Sequence, residues 1–108
     1  MTSPSSSGAL EAVERVLNRG GEPGVVLQQV VDALHARTSA WVGIAFVEDN
    51  NGVELGPSAG AAAPPADAQR HLIERQGHKI AELWASADAD PTLFARVAVI
   101  VSPYCART

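Results

Sequence analysis

The sequence predicts an α+β domain in which four strands form a mainly antiparallel sheet with helices packed on one face. Two segments with helical periodicity precede four short strand-like segments and a final helix. Residues 41–48 are apolar at nearly every position, which is typical of a central strand covered on both faces. Turn signals at residues 49–52 (DNNG) and 76–77 (QG) join neighbouring strands as hairpins. These constraints predict the strand order 2-1-4-3.

The helices are predicted from apolar spacing and from their ends. In residues 9–18, a stripe of Leu10, Val13 and Leu17 recurs at helical spacing. The second helix, residues 23–37, begins with a proline, which the first helical turn accepts without losing a hydrogen bond. Its predicted buried stripe consists of Leu27, Val30, Val31 and Leu34.

The last helix is predicted over residues 91–102, where Asp90 serves as the N-cap and Pro91 as the first helical residue. Pro103 removes one backbone hydrogen bond, so the helix should kink or end near it. The predicted buried stripe of this helix consists of Leu93, Val97, Ile100, Val101 and Tyr104.

The remaining strands are predicted at residues 53–57, 70–75 and 79–86. Residues 58–68 are rich in alanine but contain a glycine and two adjacent prolines, which oppose a helix, so this segment is predicted as a loop. Residues 1–8 are rich in serine and are expected to be a disordered tail. Residues 9–108 then form a single domain, as suits a chain of 108 residues.

The composition excludes several functional classes. Eight basic residues against twelve acidic ones provide no positive surface for nucleic acid or an anionic membrane. The most apolar run, residues 97–101, is too short to span a bilayer, and residues 1–8 show no secretory signal, so we expect a cytoplasmic protein. Seven arginines against one lysine, with abundant alanine, lead us to expect a bacterial source.

Residues with metal-binding or catalytic chemistry are few and scattered. The histidines, His35, His71 and His78, do not form the convergent set that zinc requires, and surface positions explain them better. Cys105 is the single cysteine, so it cannot form a disulfide within the chain and supplies only one thiolate. We therefore predict no metal and no cofactor.

Three stretches resemble a GAF domain, whose profilin-like fold has terminal helices on one face of a small antiparallel sheet. They are WVGIAF at residues 41–46, LGPSAG at residues 55–60 and LIERQGHKIAEL at residues 72–83. Within GAF domains the pattern is similar to free methionine-R-sulfoxide reductases, in which related WVGFY-like and LGPFQG strands flank the active site.

The chain departs from these reductases at the residues that carry their chemistry. Their redox cysteines lie in a long segment after the LGP strand, whereas here that segment is short and has no cysteine. Their last strand carries two acids, and the alignment places Trp84 and Ser86 at those positions. Sulfoxide reduction by thiols needs an attacking thiolate and a resolving thiol, which a single cysteine cannot provide. We therefore expect no enzymatic activity.

The resemblance places the candidate binding residues on the sheet face away from the helices: Trp41, Gly43, Ala45, Trp84 and Ser86. Three interpretations of the two tryptophans stay open. Their rings can fill the space of the missing segment, line a pocket for a small molecule, or form an apolar patch for a protein partner. We expect them to pack against each other or across a dimer interface, without an enclosed cavity on that face.

The expected function is that of a non-catalytic GAF-like binding and signalling module, acting through a protein partner or through dimerisation. The alternative is a small-molecule sensor with a pocket lined by Trp41 and Trp84. A homodimer through the terminal helices is also expected. The stripe of the first helix lies outside the pair of helices needed to cover the sheet, and a helix that short needs packing partners. The rival interpretation is that this helix folds back onto its own domain.

Overall fold

The structure is a computed structural model that describes residues 4–48, 52–60 and 63–105, with only the backbone for residues 4–7. Two helices precede four strands, and two helices follow them. The elements are α1 (Pro4–Arg19), α2 (Pro23–Thr38), β1 (Val42–Val47), β2 (Val53–Ala59), β3 (Gln69–Arg75), β4 (His78–Ala85), α3 (Pro91–Ile100) and α4 (Ser102–Cys105).

The four strands form one antiparallel sheet in the order β2-β1-β4-β3, which confirms the predicted topology. β1 is central and pairs with β2 on one side and with β4 on the other. Between Gly43 and Ala45, the pairing of β1 with β2 shifts, because β2 carries one extra residue there. A shift of this kind is a β-bulge, which twists the strand and interrupts its ladder of hydrogen bonds.

The helices cover one face of this sheet. Their buried side chains form one cluster with alternate residues of the two central strands, which are Val42, Ile44 and Phe46 of β1 and Ala81, Leu83 and Ala85 of β4. The side chains between these positions point to the other face by the alternation of a strand. We call this second face, which carries Gly43, Ala45, Glu82 and Trp84, the open face.

α1 forms an outer layer on α2 instead of extending away from the domain. Ala9, Val13 and Val16 are buried, and Leu10 and Leu17 are partly buried against the same core. The helix thus folds back onto its own domain, so its apolar stripe no longer supports a dimer through α1. The helix also begins at Pro4, so the expected tail is corrected: residues 4–8 are helical.

The predicted last helix is two helices separated by Val101, which satisfies the expectation of a break near Pro103. The cap is confirmed, since Asp90 accepts a hydrogen bond from the backbone N–H of Thr92 at 3.0 Å. Phe94 and Ala98 join the buried side of α3, whereas Ile100 and Tyr104 are only partly buried. No helix among the described residues is long and apolar enough to cross a bilayer.

The two hairpins are confirmed as strand pairs. In the second, Gln76 and Gly77 both have positive φ, at 55° and 80°, as a tight type I′ turn requires. The turn residues 49–51 of the first hairpin lie outside the described residues. The predicted loop 58–68 is shorter than expected, because β2 continues to Ala59.

Substitutions at two glycines distinguish the effect of backbone conformation on stability from the effect of side-chain packing. A Cβ at Gly24 or at Gly77 would have no heavy atom within 4 Å, but only Gly77 has a positive φ. Gly77→Ala should lower the free energy of unfolding by about 1–2 kcal/mol, because an L-residue is strained in this region. The matched variant Gly24→Ala, in α2, should leave it unchanged or raise it by up to about 1 kcal/mol. Urea unfolding measures both changes, and equal losses would contradict the assigned turn.

Candidate functional site

The backbone of Trp41 is fixed by Ser86, at the point where β1 begins and β4 ends. The N–H of Trp41 donates to Oγ of Ser86 at 2.7 Å, and the N–H of Ser86 donates to the carbonyl of Trp41 at 3.0 Å. The carbonyl of Ser86 also accepts a hydrogen bond from Nε2 of Gln69. Ser86 therefore holds the entry of the central strand in place.

The ring of Trp41 lies flat against the open face. A Cβ at Gly43 would stand 2.5 Å from Cη2 of Trp41 and 3.0 Å from Cδ1 of Leu55. A Cβ at Gly60, whose φ is +121°, would stand 2.8 Å from Cδ1 of the same ring. Trp41 is only 5% exposed. The ring therefore fills the space between two glycines and closes this side of the face.

Trp84 lies beside this region, directly across from Gly43 in the pairing of β1 with β4. Its Nε1–H donates to Oε1 of Glu82 at 2.8 Å, and the guanidinium of Arg70 lies 4.4 Å from its ring centroid. Nζ of Lys79 donates to Oε2 of Glu82 at 2.5 Å, and Nη1 of Arg70 lies 3.7 Å from Oε1. The half-buried indole is thus fixed at its edge by a carboxylate and covered on one side by a cation.

Glu82 is the centre of this polar group and is only 6% exposed. Burial raises the pKa of its carboxyl, but the hydrogen bonds from Lys79 and Trp84 and the charges of Lys79 and Arg70 lower it by more. The net effect holds the pKa of Glu82 below its ordinary value of 4.5. The carboxylate is therefore charged at neutral pH and has a donor on each oxygen.

The structure gives the five candidate binding residues different positions. Gly43 lies under the Trp41 ring, Ala45 has no exposed surface, and Ser86 binds the backbone of Trp41. These three position the sheet and offer little surface to a ligand. Trp84 alone among them combines an open-face position with a large, partly exposed side chain.

The polar group around Glu82 was missed by the sequence analysis, which considered only positions 84 and 86 as replacements for acids. One signal for it was visible: a glutamate in the most apolar part of β4, two residues before a tryptophan and three after a lysine. Residues two apart in a strand share a face, so the strand alone makes Glu82 and Trp84 neighbours. Arg70 comes from another strand, and only its register brings it opposite Trp84.

A second feature that the sequence did not reveal is an apolar cleft of about 340 Å³ at the helix-covered side of β2. Residues from α2, β1, β2 and α4 line it, among them Leu27, Phe46, Pro57 and Tyr104. A Cβ at Gly56 would stand 2.6 Å from Cε2 of Phe46, so this glycine lets the Phe46 ring lie against β2. The hydroxyl of Tyr104 donates to the carbonyl of Leu17 at 3.1 Å.

The three histidines lie on different elements. Nδ1 of His35 donates to the carbonyl of Ala40 at 2.8 Å, and Nε2 of His71 lies 2.6 Å from Oε1 of Gln69. Burial lowers the pKa of His71, and His78 is exposed beside its turn. Within the described ranges, no group of three or more histidine, cysteine or acidic side chains converges as a metal site.

Cys105 is buried in the core at the end of α4. Burial raises the pKa of its thiol to about 12. The thiol is therefore protonated at neutral pH, whereas the nucleophilic form of cysteine is the thiolate.

Comparisons of the chain with known proteins and structures identified no relative. No family model matches the chain, and neither a curated protein nor a solved structure matches it. The fold and the open face therefore carry the functional argument by themselves.

The two tryptophans should differ in their effect on stability. Trp41→Ala removes a buried ring that fills the space over Gly43, so it should lower the free energy of unfolding by about 3–5 kcal/mol. Trp84→Ala removes a half-buried ring, one hydrogen bond and one cation–π contact, and should cost about 1–2 kcal/mol. Urea unfolding of both variants measures the difference. A Trp84→Ala variant less stable than Trp41→Ala would contradict this account of the open face.

Glu82 should make stability depend on pH. Because its pKa is lower in the folded state, the carboxylate stabilises the fold above its unfolded-state pKa, and this contribution is lost as the pH falls through the folded pKa. Glu82→Gln should therefore destabilise the protein at pH 7, and the difference in stability from the wild type should narrow as the pH falls below 4.5, the ordinary pKa of this carboxyl. Urea unfolding at several pH values measures this difference, with Glu14→Gln, at an exposed position of α1, as the control. A difference independent of pH would show that the charge of Glu82 contributes nothing.

Proposed function

We propose that this chain is a non-catalytic GAF-like binding and signalling module that recognises another protein through its open face. The observation that carries the proposal is the Trp84 indole, half-buried on a face that no described helix covers. Its orientation is fixed before binding by Glu82 and Arg70. Tryptophan and arginine are the side chains that most often dominate protein interfaces, and a fixed ring loses little conformational entropy on binding.

The surroundings of Trp84 support a protein partner. Leu72, across Glu82 in the pairing of β3 with β4, is 56% exposed on the same face. Arg70 and Lys79 stand around the ring with large exposed fractions. An aromatic centre with a charged rim is the arrangement of protein interfaces. The filled space under Trp41 speaks against a deep ligand pocket there.

The chemistry of the chain supports a role without catalysis. The single cysteine is buried and has its pKa raised to about 12, so it is a poor nucleophile. The buried carboxylate, Glu82, is already bonded to two donors and lies on the low side of its ordinary pKa, whereas a general acid needs a raised one.

A small-molecule sensor is the second candidate function, and the apolar cleft between α2, β2 and α4 favours it. A cleft of about 340 Å³ lies in the size range of small-ligand sites. Its position differs from that of the pocket lined by Trp41 and Trp84, which the sequence analysis gave only as the alternative. An apolar molecule that copurifies with the chain and contacts Leu27 and Tyr104 would favour this function over the first.

The first function is tested by placing a photoreactive phenylalanine analogue at position 84, where it replaces one aromatic ring by another. The matched control carries the analogue at Val25, which is 53% exposed on α2. In the cells that express this chain, position 84 should give an adduct with a different protein, and position 25 should not. An adduct at twice the chain mass reports self-association and is not counted.

The captured protein is then purified and its affinity for the chain is measured by titration calorimetry. Trp84→Ala should weaken binding at least about tenfold, as expected for the central residue of an interface, and Val25→Ala should leave it unchanged. Equal adducts at both positions, no adduct at position 84, or an affinity insensitive to Trp84→Ala would each contradict the proposal.

A further inference from the structure

The two edge strands of the sheet differ in how well they can pair with another strand. The edge strand β2 contains Gly56 and Pro57 and carries the bulge, and proline and bulges are features that prevent edge pairing. The other edge strand, β3, has seven residues without glycine, proline or lysine and is regular along its length. The irregularity in its pairing with β4 comes from an extra residue on β4.

The outer edge of β3 is available for pairing. Arg75 and His78 flank the two-residue turn as a pair, and the residues that flank such a turn are a hydrogen-bonded pair of the hairpin. The backbone N–H and C=O groups of alternate β3 residues therefore point outward. By this alternation, the outward groups belong to Arg70, Leu72 and Glu74. All three side chains are exposed, and within the described ranges no element pairs with this edge.

The side chains along the β3 edge are complementary to those of the same strand in a second, antiparallel copy of the chain. Leu72 is the middle residue of β3, with Arg70 two positions before it and Glu74 two positions after it. In an antiparallel pair of two β3 strands centred on Leu72, Leu72 faces Leu72 of the second copy, and each arginine faces a glutamate. The alternate positions lie on one face, so the apolar pair is flanked by two ion pairs.

The charged side chains on this edge can still form those ion pairs. Arg70 stacks its guanidinium on Trp84, which leaves the N–H groups at the edge of the guanidinium plane available. Nη1 of Arg70 lies 3.7 Å from Oε1 of Glu82, which is longer than a hydrogen bond. Lys79, which stands opposite Glu74 in the hairpin, instead bonds to Glu82.

We propose that two copies of this chain pair through β3, antiparallel and centred on Leu72, to form a continuous eight-stranded sheet. The pairing uses the outward backbone groups of Arg70, Leu72 and Glu74 and the two Arg70–Glu74 ion pairs. It needs neither α1 nor the protein partner proposed above. Because one edge strand buries a small area, the dimer forms in a concentration-dependent equilibrium.

The mass of the purified full chain tests this pairing. In sedimentation velocity between about 10 μM and about 1 mM, the mass should rise from 11.2 kDa towards twice that value. Leu72→Lys should weaken the dimer at least about tenfold, because it puts two like charges face to face at the centre. The control Val25→Lys, at an exposed position of α2, should have no effect.

Charge reversal tests the register. Glu74→Arg and Arg70→Glu should each remain monomeric, because each variant places like charges opposite each other. A mixture of the two variants should form a heterodimer, since every arginine then faces a glutamate again. Circular dichroism establishes that each variant is folded.

If Arg70→Glu fails to fold, a disulfide between the two copies of β3 tests the register of their pairing instead. Leu72→Cys should oxidise to a covalent dimer, since facing residues of a hydrogen-bonded pair have Cα atoms about 5.5 Å apart, within the range of a disulfide. The control variant Val25→Cys should not form a covalent dimer. A mass of 11.2 kDa at every concentration, a dimer unaffected by Leu72→Lys, or no covalent dimer of Leu72→Cys would overturn the proposal.

Discussion

The contact between the Trp41 ring and the backbone of Gly43 closes the part of the open face that lies over β1 and β2. The helices cover one face of β1, and a strand as apolar as β1 needs cover on the other face as well. Trp41 supplies that cover from the same chain, but only because Gly43 and Gly60 have no Cβ in its way. Ser86 completes the arrangement by fixing the backbone of Trp41 in both directions.

The polar part of the open face is stabilised by hydrogen bonds and opposite charges around Glu82. Glu82 is a charged group buried among strands, and such a group is tolerated only when donors and opposite charges surround it. Lys79 and Trp84 satisfy its two oxygens, and Arg70 adds a second positive charge. The same contacts that stabilise the carboxylate orient the indole. The open face therefore combines an apolar part closed by Trp41 with a partly exposed indole held in place by Glu82 and Arg70.

Local signals in the sequence predicted the parts of the structure that depend on neighbouring residues. The strand order followed from one two-sided apolar strand and two hairpins, and the cap at Asp90 followed from its place before a proline. The resemblance to GAF domains placed Trp41 and Trp84 on one face, and Trp84 lies across from Gly43, two residues after Trp41. The start of α1 was predicted too late, because Pro4 and the serines after it continue the helix once the following turns are packed on α2.

The sequence by itself determined the α+β class and the strand order, because periodicity and turn chemistry are local properties of the chain. Only the tertiary structure decided that α1 lies on its own domain, that Trp41 fills space instead of bordering a pocket, and that Glu82 is charged and buried. Each of these depends on which residues from distant parts of the chain come together. Arg70 reaches Trp84 only through the register of β3 on β4, and Gly60 reaches Trp41 only through the pairing of β2 with β1.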